Sequence, residues 1–215
     1  MSSLRRGLTA VALLAASAAP ASAQRLGTDV FAYVGYSRAT LSAGGDVDLG
    51  ERWVNGATGG VGLRHPLAGP VGLRTELLLA RRGGAFGLAV AGEDVPLSLD
   101  LVYLEVPFQL QFQSYERSRR FRPFAFAGLV PAFRIGCDAE LRVPSVGVLQ
   151  DACTEVLTAQ PEWFDLGAAG GAGFEVRRGR TLLQFQARYF ESLGDLGPEL
   201  PVRNRTFAIL VGVGM

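Results

Sequence analysis

The chain has no lysine: all 21 of its basic residues are arginine. It also has little histidine (one residue) and little cysteine (two residues), and 20 acidic residues leave a formal net charge of only +1. Beyond the N-terminal segment, no apolar run reaches the roughly 18 residues of a transmembrane helix. Each shortage excludes something. Near-neutral charge implies no strongly acidic or basic partner. No basic stripe with interleaved aromatics is present, so nothing supports nucleic-acid binding. Without a long apolar helix, a membrane protein has to span by closed strands, because lipid satisfies no backbone hydrogen bonds. The use of arginine alone reads mainly as genome composition, although arginine suits buried ion networks better than lysine does.

What is present begins with an export signal. Arg5 and Arg6 supply charge, Leu8–Ala16 an apolar stretch, and Ala21-Ser22-Ala23 a small-residue cleavage site before Gln24. The apolar stretch is too short to span a bilayer. The arginine pair lacks the rest of a twin-arginine motif, and no cysteine at the cleavage point offers a lipid anchor. The expected division is a signal peptide over residues 1–23 and one β domain over 24–215. The leader carries two arginines and no acids, so the mature domain has a net charge near −1.

The most informative stretch is Leu99–Gln113. From Leu104 on, Leu104, Val106, Phe108, Leu110 and Phe112 alternate with Glu105, Pro107, Gln109, Gln111 and Gln113. Period two means a β-strand with one apolar and one polar face. At about 3.3 Å per residue and a tilt near 45°, ten residues rise roughly 23 Å, close to the apolar band of an outer-membrane barrel.

Eight such strands are expected: Asp29–Leu41, Val54–Pro66, Val71–Arg82, Leu99–Gln113, Phe121–Gly136, Trp163–Arg177, Thr181–Phe190 and Arg205–Gly214. The first and fifth do not alternate cleanly, and their facing stays open. Tight turns are expected at Leu67–Gly69, Ser114–Arg120 and Arg178–Arg180. Longer loops are expected at Ser42–Trp53, Gly83–Leu97, Cys137–Glu162 and Glu191–Asn204. Alternating short and long connections fit periplasmic turns and outer loops. Trp53, Phe86 and Trp163 near one set of strand ends, with Phe112, Tyr115 and Phe121 near the other, fit two interfacial girdles. The expected fold is therefore all-β: an eight-stranded antiparallel up-and-down transmembrane β-barrel in a bacterial outer membrane.

The chain resembles the outer-membrane protein β-barrel domain family, the porin-family or PorT-like proteins of bacteria. The segments that carry the likeness are LRTELLLARRGG (Leu73–Gly84), YLEVPFQLQF (Tyr103–Phe112), RPFAFAGLVPAF (Arg122–Phe133), GAGFEVRRGRTLLQFQARY (Gly171–Tyr189) and NRTFAILVGVG (Asn204–Gly214). The resemblance implies outer-membrane lipid as the surroundings and the barrel assembly machinery as a partner during biogenesis. It implies no cofactor. Members commonly end on an aromatic residue that this machinery reads, whereas this chain ends on Met215.

Alternation places Arg74, Glu76, Arg82, Glu105, Asp165, Glu175, Arg177 and Arg188 inside one barrel. An eight-stranded barrel is just wide enough for side chains to fill, so these charges are expected to pair and close the lumen. The alternative is a narrow, porin-like path for ions or small solutes. Cys137 and Cys153, in the longest expected outer loop, are expected to form a disulfide in an oxidising compartment. The alternative is a metal site with Asp138, Glu140, Asp151 and Glu155, for which the ligand set is thin. Cys137, Asp138, Asp151 and Cys153 mark that loop as the candidate binding element for an unknown extracellular ligand or protein, since rigid barrels carry function on loops.

His65 is the sole candidate base for a lipid-modifying enzyme, but it falls at the periplasmic end of its strand without an obvious serine and acid. Gly167–Gly173 lacks the following helix that a phosphate-cradling loop requires. It reads instead as small residues within a tightly curved barrel. Asn204-Arg205-Thr206 matches a glycosylation acceptor, incidental in a bacterial envelope. The functional expectation is a non-enzymatic envelope protein with a structural or loop-mediated binding role. A secreted, lipocalin-like binding barrel would need the opposite facing.

Overall fold

The computed structural model describes residues 27–43, 52–90, 93–113, 120–143, 147–153, 161–197 and 202–215. Nearly all of these are strand: β1 (Asp29–Ala43), β2 (Val54–Ala68), β3 (Val71–Val90), β4 (Glu93–Glu105), β5 (Phe108–Gln113), β6 (Phe121–Val143), β7 (Gly147–Ala152), β8 (Phe164–Arg178), β9 (Thr181–Ser192) and β10 (Val202–Gly214). Every pairing is antiparallel. β1 pairs β2 on one side and β10 on the other, from Phe31↔Gly214 to Ala43↔Val202, which closes the sheet into a barrel.

The ten segments make eight staves. β4 and β5 both lie between β3 and β6 and form a single stave interrupted at Val106 and Pro107. Proline has no N–H to give a ladder. The adjoining groups still pair: the Val106 N–H donates to the Pro131 carbonyl at 2.8 Å, and the Glu76 N–H to the Pro107 carbonyl at 3.1 Å. β7 is an added strand that pairs the far end of β6, from Asp138↔Ala152 to Val143↔Gly147.

Two expected loops contain long stretches of strand. β3 continues to Val90 and pairs β4 as far as Val90↔Glu93, so Gly83–Leu97 is the end of a long hairpin. Cys137 and Asp138 likewise lie in β6, and Asp151 lies in β7. Gly, Ala and charged residues in these stretches hide the alternation, but the backbone ladder needs no apolar face. Gly83 permits a local kink, with φ of +132°, where an added Cβ would lie 2.0 Å from the Leu99 carbonyl oxygen. β6 has 23 residues. At about 3.3 Å per residue and a tilt near 45°, that is roughly 50 Å along the barrel axis, about twice the height of a membrane's apolar band.

The opposite end is compact. Gly69 and Gly179, with φ of +53° and +65°, make two of the tight turns. Of the third expected turn, Ser114–Arg120, only Arg120 is among the described residues. Met215 meets β1 there through two hydrogen bonds with Val30 at 3.1 Å.

The wall faces as the clean alternations require. Leu73, Leu77, Phe108, Leu110, Phe112, Phe185, Phe207, Ile209 and Val211 point outward and are exposed, while Arg74, Glu76, Gln109, Gln111, Gln184 and Gln186 between them are buried. Polar inside and apolar outside is the reverse of a soluble lipocalin-like barrel. The interior also holds apolar groups. Leu41, Leu97, Leu99, Leu101 and Val202 cluster with Cys153 and Leu196 near the hairpin end. Phe31, Tyr33, Leu78, Leu182, Ala208 and Leu210 pack at a lower level.

Candidate functional site

Three arginines cross the bore from one wall to the far one. Nearest the turns, Arg64 on β2 reaches Glu175 on β8 at 2.6 Å and donates to Gln113 at 2.8 Å. Arg64 also pairs Asp29, its cross-strand neighbour on β1. Arg122, opposite Glu175 in register, takes the second Glu175 oxygen. Midway along the barrel, Arg188 on β9 pairs Glu76 on β3, whose other oxygen accepts from Arg74 Nε at 2.6 Å. Toward the hairpins, Arg82 on β3 lies 2.6 Å from Glu105 and 3.4 Å from Asp165 on β8. Ser192 donates to Asp165 at 2.7 Å and Asn204 donates to it at 3.3 Å.

Aromatic rings separate these ionic groups. Phe126 lies 4.6 Å from the Arg74 guanidinium and 5.3 Å from that of Arg188. Phe190 lies 3.4 Å from Arg82, and Phe31 lies 5.0 Å from Arg64. The glycines of β8 make room for two of the rings: an added Cβ would come within 2.1 Å of Phe190 at Gly167 and within 2.6 Å of Phe126 at Gly171. The run Gly167–Gly173 is therefore strand lining, with no phosphate loop or following helix. Charges in a desolvated bore need partners at close range, and the crossings supply them.

Seven of the eight expected interior charges enter these pairs: Arg74, Glu76, Arg82, Glu105, Asp165, Glu175 and Arg188. Arg177 faces the same interior but is half-buried and joins no ion pair among the described residues. Asp29, Arg64 and Arg122 were missed. Arg64 had a usable signal, since Val61 and Leu63 alternate with Gly62 and Arg64. Arg122 had none, because its strand also turns Phe124 and Phe126 inward.

The hairpin end is closed differently. Cys137 and Cys153 form a disulfide with Cα atoms 5.5 Å apart. Cys153 is buried among Leu41, Leu97, Leu99 and Leu196, so the chain leaving β7 is pinned into the barrel mouth. Asp138 and Asp151 remain exposed, and an Asp151 carboxylate oxygen accepts the Ala152 N–H at 2.8 Å. Among the described residues, no three His, Cys, Asp or Glu side chains gather as a metal site. His65 is exposed at the turn end, with Nδ1 3.1 Å from the Thr28 hydroxyl. Asn204 of the acceptor-like triplet is buried in the barrel.

On the outside, Trp53 and Trp163 are exposed toward the hairpin end, and Phe112 and Phe121 toward the turns. Tyr115 and the side chain of Phe86 lie outside the described residues. An apolar band bounded by aromatic rings, wrapped around a charged interior, is the build of a bilayer-spanning barrel.

A family model described as "Outer membrane protein beta-barrel domain" matches residues 21–197. The chain belongs to that family. Its place is the bacterial outer membrane. Among solved structures, the outer-membrane protein OprG of Pseudomonas aeruginosa is similar at 11% identity and a TM-score of 0.50, over 87% of this chain and 94% of that one. Neisserial surface protein A gives 12% identity and a TM-score of 0.47, over 86% and 96%. Ail, the attachment invasion locus protein of Yersinia pestis, solved with the heparin analogue sucrose octasulfate, gives 14% and 0.41, over 87% and 99%. At these identities the likeness is one of fold alone. No curated protein matches the chain.

Proposed function

We propose that this is a non-enzymatic, non-conducting outer-membrane barrel, exported by the signal at residues 1–23 and inserted by the barrel assembly machinery. Its role is structural, or it binds a partner through its extracellular hairpins. The observation that carries this reading is the bore itself, where Arg64, Arg82 and Arg188 each bridge opposite walls. Above them, the mouth is filled by apolar side chains and the disulfide. A barrel sealed in this way is a rigid post. The surface left for recognition is the projecting part of β3–β4 and β6–β7, including exposed Asp138, Val148 and Asp151.

A narrow channel is the second reading, and one observation favours it: the buried side-chain amides of Gln109 and Gln186 have no hydrogen-bond partner among the described residues. Such groups accept water, and a chain of water would carry small ions. Planar-bilayer recording of the purified protein separates the two readings. The sealed barrel gives no current steps above the lipid background, whereas reproducible unitary steps would replace this proposal with the channel.

A further inference from the structure

The outward face of the wall changes character abruptly at one level. Below it, on β10, β1 and β2, Phe207, Ile209, Val34, Tyr36 and Leu63 face the lipid. At it stand Arg38 on β1, Arg81 on β3 and Arg205 on β10, all pointing outward. At about 3.3 Å per residue and a tilt near 45°, Arg38 stands roughly 20 Å up the wall from Asp29, where the apolar band gives way to headgroups.

Arg81 and Arg205 already have carboxylate partners in Asp100 and Glu191. Arg38 has none among the described residues. Its guanidinium instead lies over the Trp53 ring, 5.9 Å from the centroid. The strand neighbours opposite Arg38 are Phe207 on β10 and Asn55 on β2, and Asn55 accepts a hydrogen bond from the Tyr36 hydroxyl at 2.5 Å. A cation stacked on one face keeps its in-plane N–H groups free, in the fork geometry that fits phosphate oxygens. Tryptophan at this height is an interfacial anchor as well.

We propose that Arg38 and Trp53 form a binding site for the phosphorylated headgroup of an outer-leaflet lipid. The phosphate sits on the Arg38 fork and the acyl chains lie along Val34, Tyr36 and Phe207. The apolar wall directly beneath the cation is what selects a lipid over free phosphate. Among the described residues, Arg52 is a second exposed arginine at the rim without an acidic partner.

The test is a titration of the protein in phosphatidylcholine nanodiscs with lipid A, read by native mass spectrometry. Diphosphorylated lipid A is compared with lipid A stripped of both phosphates. Wild type should retain the phosphorylated form preferentially. Arg38→Gln should need about tenfold more lipid for half-occupancy, as expected for one lost charge-assisted contact, and Arg38→Lys should fall in between. Equal retention by wild type and Arg38→Gln overturns the site. So does equal retention of both lipids by wild type, a comparison that still decides if Arg38→Gln fails to assemble.

Discussion

Glu76 is the residue on which the middle of the barrel depends, because one carboxylate serves both Arg74 and Arg188. Glu76→Gln would leave two buried guanidiniums without their counter-charge. Breaking a buried ion pair from one side costs about 3–5 kcal/mol, whereas removing the whole set costs far less. Urea unfolding of the barrel in lipid vesicles should therefore show Glu76→Gln markedly destabilised. The triple change Arg74→Met, Glu76→Leu, Arg188→Met should recover part of the loss, and wild-type stability in Glu76→Gln would show that the network is unimportant. Sequence reading found most of this network because β3 and β9 alternate cleanly. It failed at Arg122 and left β1 unassigned because the interior is not uniformly polar. Phe31, Tyr33, Phe124 and Phe126 point inward, the first two stacked at 5.8 Å, and Phe31, Tyr33 and Phe126 lie against arginine heads. Inward rings of that kind erase the polar–apolar period on which facing is judged.

At the level of elements, the chief difference from expectation lies in the hairpins. Gly83–Leu97 carries no clean alternation, yet its backbone pairs almost to the tip. Above the membrane both faces of a strand meet water or packed protein, so no lipid-facing pattern is required and the sequence loses its period. The disulfide belongs to this projecting part. It spans a sequence separation of 16, and closing a loop of about that length contributes roughly 3 kcal/mol in the chain-entropy model. Its loss should spare the closed sheet, because the eight staves pair one another without β7, which pairs β6 alone, even though Cys153 itself packs into the apolar mouth. Cys137→Ser with Cys153→Ser should leave the boiling-dependent gel mobility of a closed barrel intact while making the β6–β7 hairpin more susceptible to added trypsin on whole cells. Collapse of the mobility shift would mean instead that the disulfide holds the barrel itself.

At the scale of the whole molecule, one feature organises everything else: the two faces of the wall meet different media. Leu110 and Phe185 are 46% and 39% exposed on the outer face, while Gln109, Gln111, Gln184 and Gln186 beside them are buried. Left in water, that outer surface would be a continuous apolar belt far larger than soluble monomers expose. In a bilayer it is covered, and the polar groups have one another. Single cysteines read this out directly, since both native thiols are tied in the disulfide. Leu110→Cys and Phe185→Cys in proteoliposomes should resist a water-soluble maleimide until the bilayer is dissolved. Val148→Cys, exposed on the β7 hairpin, should react at once. Rapid labelling at Leu110 in intact vesicles would place that face in water and invert the barrel. Protection there, with free reaction at position 148, sets the membrane boundary between them and leaves the hairpins as the part of the molecule a partner can reach.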